Sequence, residues 1–387
     1  MSLSRKAAIA GLGATPYWKR GGSNPATMNE LVGQAIIKAC DDAGFPVNEI
    51  DGLAYFSGGF DSSYLMETLG IDTLRFSATI TGSGGGSAGA VGLAAAAITA
   101  GMAKAVIVVG GNQQGEVRFG AITKSYERTP ENAFFESAGL IGPGHMFALL
   151  AKRQMHNYGY TREMFAEIAL NARANALDNP NALMKKPLDL DIYMNAAPIA
   201  DPLCLYDFCL ESDGVIAVLV TSVEHARDLK QKPVIIQGAT HGGERGWGRS
   251  LYWMNMPERQ FLGSGHASVA RDLYAQAGVG PQDIDVAQIY DHFTPQVIAQ
   301  LEDYGFCKPG EGGEFVLSGA IRRDGALPIN TDGGQLSCAY VWGMTHIREG
   351  VEQMRGTACH QIKDAKLTLI TGGPSNVPMS GLILAAA

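Results

Sequence analysis

The strongest constraint on the fold is that this chain repeats itself. "AAIAGLGAT" (7–15) returns as "VIIQGATHGG" (234–243), each an apolar run entering small residues. "AIIKACDDAGFPVNEIDGLAYF" (35–56) returns as "DLYAQAGVGPQDIDVAQIYDHF" (272–293), a helix, an Ala-Gly stop, an acidic capping turn and a strand. "ITGSGGGSAGAVGLAAAAITAG" (80–101), a glycine turn into an apolar helix, returns as "INTDGGQLSCAYVWGMTHIREGVEQMRG" (329–356). "AKAVIVVGG" (103–111) returns as "AKLTLITGG" (365–373). Matches kept in the same order predict an α/β chain of two similar βα halves, 1–228 and 229–387. Before its closing strand "GVIAVLVTS" (214–222), the first half carries an insertion over about 113–205. Its irregular Gly, Pro, Met and aromatic residues read as helices and long loops covering a site.

Composition narrows what such a chain can do. Apolar residues make up 46% and charged residues only 18%, which suits a large core plus surface buried against other subunits. A net charge of −8 offers no field for nucleic acid. Cys40, Cys204, Cys209, Cys307, Cys338 and Cys359 lack CxxC spacing, so neither a disulfide framework nor a zinc site is expected, and a reduced, cytoplasmic protein is. The opening "MSLSRKAAIAGLG" runs straight into an apolar strand without signal-peptide grammar. The longest apolar stretch, 88–109, is small-residue rich and broken by Lys104, so it reads as a buried helix and strand rather than a membrane span.

A glycine turn at a helix N-terminus is where many α/β enzymes mount a nucleophile, yet this one holds only Ser83 and Ser87 among its glycines. The motifs "AAIAGLGATPY", "ESDGVIAVLVTS" (211–222), "IYDHFT" (289–294), "GGQLSCAYVWG" (333–343) and "TGGPSNVPMSG" (371–381) together resemble the thiolase superfamily, in its sterol-carrier and lipid-transfer-protein branch. The resemblance covers essentially the whole chain. It implies a thiolase fold of two pseudo-symmetric α-β-α-β-α halves, and a homodimer. The departures bear on function. Where the family carries its acylated cysteine this chain has Gly84, or Ser87 if the turn is shifted. Tyr340 replaces the catalytic histidine, Thr371 the second cysteine, and Tyr290 the asparagine of "NEAF". Without either thiol there is no acyl-enzyme on a thiolate and no thiol acid/base.

The patterns around "YDHFTP", "LPINT.GGQL..AY..G" and "EGV.Q.RG" resemble bacterial aldolases that cleave coenzyme A-activated steroid side chains. That implies retro-aldol cleavage of a β-hydroxyacyl-CoA, giving a ketone or aldehyde plus acetyl-CoA or propionyl-CoA. Such chemistry needs a base for the hydroxyl proton, a site for the enolate and an acid to protonate it. Tyr290 and Tyr340 are the candidates, in either order. A free phenol titrates near about 10, so a base role requires a lowered pKa or a proton relay. Asp291 and His292 are the adjacent groups that could tune it; on a strand they would face opposite ways. Backbone N–H groups at Gly84, Gly85, Ser87, Gly372 and Gly373 are candidate oxyanion and substrate-binding donors. Thr294 and Pro295 are expected to cap the next helix, and Met344, Ile347, Val351 and Met354 to form an apolar stripe. His346 and His360 read as surface residues.

Two other functions fit the same fold: an acyltransferase subunit with the acyl group on Ser87, and a non-catalytic lipid- or steroid-binding module. No cofactor or metal is expected on this chain, coenzyme A entering as part of the substrate. The resemblance implies a small OB-fold companion with a zinc ribbon, so zinc belongs in that partner. The assembly expected is a hetero-oligomer on a central homodimer.

Overall fold

The computed structural model describes residues 3–56, 61–80, 83–115, 130–244, 261–375 and 377–387. The first half contributes β1 (Ala7–Ala14), β2 (Trp18–Lys19), β3 (Gly52–Phe56), β4 (Phe76–Ile80) and β5 (Ala105–Asn112), then a ribbon of β6 (Pro198–Ala200) with β7 (Leu203–Cys204), then β8 (Ser212–Ser222). The second contributes β9 (Val234–Gly242), β10 (Val286–Gln288), β11 (Leu367–Gly372) and β12 (Met379–Ala386). Apart from the ribbon they join one sheet in the order β10-β11-β12-β9-β1-β8-β5-β3-β4, with β2 added on β8.

Outward from its middle the path repeats. β1–β8 and β8–β5 are antiparallel and β5–β3 parallel; β9–β12 and β12–β11 are antiparallel and β11–β10 parallel. Of the strands so related, β1 and β9, β3 and β10, and β5 and β11 lie in the segments whose sequences recur, while β8 and β12 are related by the path alone. The two runs meet only briefly, where Ala8 pairs with Ile235 and Ile9 with Val234. β4 lies parallel to β3 at the far edge, whereas its counterpart in the second half shrinks to one bridge, Ala287 with Ile329.

Strand alternation sets the layers. Ala8 and Ala10 of β1, with Ile107 and Val109 of β5, face the helix Met28–Ala43, while Ile9, Val106 and Val108 face the molecule's middle. The helices Gly86–Thr99 and Met344–Arg355 fill that middle layer and touch strands of both halves. Ala267–Ala277 closes the far side on β9 and β12. The result is α-β-α-β-α with the central helices shared. Burying each large aliphatic side chain in this middle layer contributes roughly 1.5–3 kcal/mol. Close approach needs small residues: a Cβ on Gly11 or Gly13 would overlap the carbonyl oxygens of Ala39 or Ala35.

Inserted helices pack on the second half. From Arg162–Asp178 and just beyond, Asn171, Asn175 and Asn179 recur every fourth position and donate to the carbonyls of Ile321, Ile329, Asn330 and Asp332. Buried carbonyls left by the irregular segment at 329–332 thereby find partners. The apolar stretch 88–109 falls in the helix Gly86–Thr99 and β5, and among the described residues no helix is long and apolar enough to cross a membrane.

Candidate active site

β10 stops at Gln288, but Ile289 and Tyr290 run on past it, held by side chains. Asn330 accepts the Ile289 N–H at 2.7 Å and returns a bond to the Ile289 carbonyl at 2.9 Å. Tyr290 is thereby carried into the middle of the molecule, where its hydroxyl lies 3.4 Å from that of Tyr340. Tyr340 is fixed from the other half: its N–H donates to Ser212 Oγ at 2.8 Å, and that hydroxyl donates to the Tyr340 carbonyl at 2.9 Å. Both rings are buried.

The glycine turns converge on this pair. A Cβ on Gly84 would overlap the Tyr290 hydroxyl. One on Gly343, where φ is +86°, would lie 2.8 Å from Ser87 Oγ and 3.0 Å from the Tyr290 ring. One on Gly372 would lie 2.6 Å from Ser380 Oγ and 3.0 Å from the Gly84 carbonyl, and one on Gly373 3.3 Å from the Gly85 Cα. Ser87 Oγ donates to the Gly84 carbonyl at 3.0 Å, which closes the turn on itself. Gly84 and Gly343 thus lie against Tyr290, with Ser87, Gly372, Gly85 and Gly373 packed behind them.

Burial raises both phenols well above their ordinary value of 10; for Tyr290 the hydrogen bond to Tyr340 offsets part of the rise. Near neutral pH both are therefore un-ionised, and a resting phenolate is disfavoured. The pair can pass protons between its members. His292 packs edge-on to Phe147 at 4.7 Å and against the Tyr290 ring at 5.1 Å, and burial pushes it down to about 3, leaving it neutral. Asp291 is not bonded to either phenol here, but its charge adds to the rise of the Tyr290 phenol. Its carboxylate accepts the Gln335 and Leu336 N–H groups at 2.9 and 3.3 Å, with His346 Nε2 3.1 Å away. It braces the second glycine turn.

Several sequence expectations change. His346 is fully buried, because Met344–Arg355 lies in the middle layer and its polar face is enclosed along with the apolar stripe. Glu349 and Gln353 are buried with it. His360 is half-buried against Arg323 and the Asn175 carbonyl. Pro295 does start the helix Thr294–Asp303, but Thr294 does not cap it; its hydroxyl donates to buried Asp207 at 2.5 Å. Sequence reasoning also missed three neighbours of the site. Cys209 donates its N–H to the His292 carbonyl at 3.0 Å, and burial raises the pKa of its thiol. His266 reaches the Gly373 carbonyl with Nε2 at 3.3 Å and the Tyr304 hydroxyl with Nδ1 at 3.3 Å, and burial takes it down to about 4. Gln300 touches the Tyr290 backbone. No local pattern flags them, since their partners are distant in sequence. Among the described residues no group of three or more His, Cys, Asp or Glu could hold a metal ion.

Residues 252–379 match the family model described as Thiolase C-terminal domain-like. The chain is 38% identical over 390 residues to the 17-hydroxy-3-oxo-4-pregnene-20-carboxyl-CoA lyase of Mycobacterium tuberculosis, an alignment spanning 99% of this chain and 100% of that protein. It is 38% identical over 399 residues to the steroid side-chain-cleaving aldolase of Thermomonospora curvata, spanning 99% of each. The chain belongs to the thiolase-fold steroid side-chain-cleaving aldolases. The solved structure of an Ltp2-ChsH2(DUF35) aldolase superposes on it with a TM-score of 0.92 at 36% identity, covering 100% of this chain and 99% of that one. Within this aldolase family, the likeness runs through both halves and through the inserted helices.

Proposed function

We propose that this aldolase cleaves a β-hydroxyacyl-CoA by a retro-aldol reaction, with Tyr290 and Tyr340 moving the protons. The observation that carries the reading is the pair of un-ionised, buried phenols 3.4 Å apart over the Gly84 backbone. The substrate hydroxyl gives its proton to one phenol oxygen as that phenol gives its own to the other, which in the same concerted step releases its own proton toward Cα. The Cα–Cβ bond breaks, its electron pair passing into the thioester as an enolate while the hydroxyl carbon becomes a carbonyl. The second phenol protonates Cα. Both tyrosines end neutral, so the raised pKa values favour a relay and no phenolate has to persist. Either tyrosine can begin it.

Backbone N–H groups of Gly84, Gly85, Ser87, Gly372 and Gly373 are our candidates for holding the thioester oxygen as it gains charge; losing one such donor commonly costs about 3 kcal/mol. His292 is assigned to lining the Tyr290 ring and Asp291 to bracing the turn before Tyr340. The halves are taken as 1–228 and 229–387. The relatives' names point to a CoA-activated steroid as substrate, and the products we propose are a ketone or aldehyde plus acetyl-CoA or propionyl-CoA.

The assembly follows the same reading. Among the described residues β4 ends the sheet with one ladder free, a ready surface for a second copy of this chain. The ChsH2(DUF35) component in the related structure supports a small companion, which we take to be an OB-fold protein with a zinc ribbon, in the cytoplasm. Two measurements test the proposal. Incubation with a panel of β-hydroxyacyl-CoA thioesters, with mass analysis of both products, should yield a carbonyl compound and a short acyl-CoA; an acyl group on Ser87 instead would favour acyl transfer. Turnover and mass of the lone chain should rise on co-expression with the companion; full activity of the lone homodimer would remove it.

A further inference from the structure

Thr371 and Gln300 belong to no part of the relay, yet with Tyr290 they close a ring of hydrogen bonds. The Tyr290 N–H donates to Thr371 Oγ1 at 2.8 Å, the Thr371 hydroxyl donates to Gln300 Oε1 at 2.6 Å, and Gln300 Nε2 donates to the Tyr290 carbonyl at 2.8 Å. Gln300 Nε2 also reaches the Gln296 carbonyl, at 3.0 Å, within the same helix. All three ring members are buried. Every role is forced. A backbone N–H can only donate, so Thr371 Oγ1 accepts and has one proton left for Gln300. Two carbonyls face the other end of the amide, so Nε2 must point at them and Oε1 at Thr371.

The ring stands where the sheet runs out. β10 pairs with β11 through Val286–Thr368, Ala287–Leu369 and Gln288–Ile370, and no backbone pair follows. Asn330 takes over for Ile289 on one side, and Thr371 for Tyr290 on the other. With no ladder at Tyr290, the aim of its phenol depends on these side chains. The hydroxyl has little tolerance, lying against the Gly84 Cα on one side and the Tyr340 hydroxyl on another. A misplacement of about 1 Å at a reacting group can cost on the order of a hundredfold in rate.

We propose that Thr371 and Gln300 are positioning residues that set the Tyr290 phenol in register with Tyr340. This inference rests on the reading of Tyr290 as a proton-moving group. A thiol at 371 would serve the ring poorly, being a weak acceptor and a weak donor.

The test is a kinetic cycle on the full-length enzyme with its companion, assayed on the β-hydroxyacyl-CoA it turns over. Thr371→Val keeps the shape and removes both bonds; kcat should fall about 10- to 100-fold with KM within about twofold. Thr371→Ser keeps the hydroxyl and should restore most of that loss. In a Tyr290→Phe background, Thr371→Val should cost almost nothing further in kcat, because the group it aims is gone. Gln300→Met, which opens the ring from the other side, should reproduce the pattern and replaces the valine variant if that protein does not fold. Near-normal kcat in Thr371→Val and Gln300→Met while Tyr290→Phe is crippled would overturn the ring and leave the relay standing. An additive loss in the double variant would also overturn it, as would failure of serine to rescue. Near-normal kcat in Tyr290→Phe would instead sink the relay itself.

Discussion

The two glycine turns occupy equivalent places in the two halves and do different work. The first, Ser83–Gly85, enters Gly86–Thr99, a helix of Ala, Gly and other mostly small residues with no charged group. It brings the site a backbone and the Ser87 hydroxyl, which is turned onto the Gly84 carbonyl. The second, Gly334–Cys338, is one widened turn, after which the chain runs extended through Ala339 and re-enters a helix only at Met344. That detour places Tyr340 opposite Tyr290, and the helix beyond hides His346, Glu349 and Gln353. Equivalent positions in a repeated architecture can thus split a task, one side giving a floor of small atoms and the other a titratable side chain. The floor has to be bare, because the Tyr290 hydroxyl rests on it.

The sharpest way to break this division is to remove the hydroxyls. Tyr290→Phe and Tyr340→Phe should each lower kcat by about a hundredfold or more, the usual scale for general acid–base loss, with thermal unfolding little changed. Steady-state kinetics with near-normal kcat in Tyr340→Phe would show that the second turn supplies no chemistry, and in Tyr290→Phe that the residue facing it supplies none. Next comes the floor. Gly84→Ala forces a methyl into the Tyr290 hydroxyl, so kcat should drop on the order of tenfold to a hundredfold while overpacking costs about 1–3 kcal/mol in denaturant titrations.

A smaller effect is expected from Ser87→Ala. Its bond to Gly84 braces the turn, so kcat should fall less than about tenfold, and mass spectra of enzyme quenched during turnover should carry no acyl adduct. A stoichiometric adduct on Ser87 would make the first turn the reactive one after all. The smallest effect separates the two helices by pH. Burial, with Asp332 beside it, raises the Glu349 carboxyl above its usual 4.5, whereas Gly86–Thr99 holds no such group. A raised acid stabilises the folded state below its unfolded pKa, and that contribution is lost as pH climbs through the raised value. Between about pH 5 and 8 the melting temperature should therefore fall more steeply than in Glu349→Gln, by about 2 °C or more. Parallel melting curves would show that Glu349 does not report on its burial.

Much of this was legible beforehand, and the reasons are local. The recurrence of AAIAGLGAT and AKAVIVVGG followed the strands because apolar runs between turns make buried strands wherever they fall. Met344, Ile347, Val351 and Met354 declared one buried face by their spacing. His346 did not declare itself, since periodicity says which face is apolar and not whether the polar face is also covered. Thr294 looked like a cap until Asp207, far away in sequence, took its hydroxyl.

The sequence alone determined the order of elements and their doubling, which are properties of residue type and spacing. The resemblance of its motifs to the family marked the places without a thiol and singled out Tyr290 and Tyr340. Only the tertiary structure decided that their hydroxyls lie 3.4 Å apart, that Asp291 turns to a backbone turn, and that Thr371 and Gln300 hold Tyr290 where the sheet ends. Contacts of this kind join residues 10 to 81 positions apart, and they form because the packed layers exclude water and buried donors turn to the acceptors within reach.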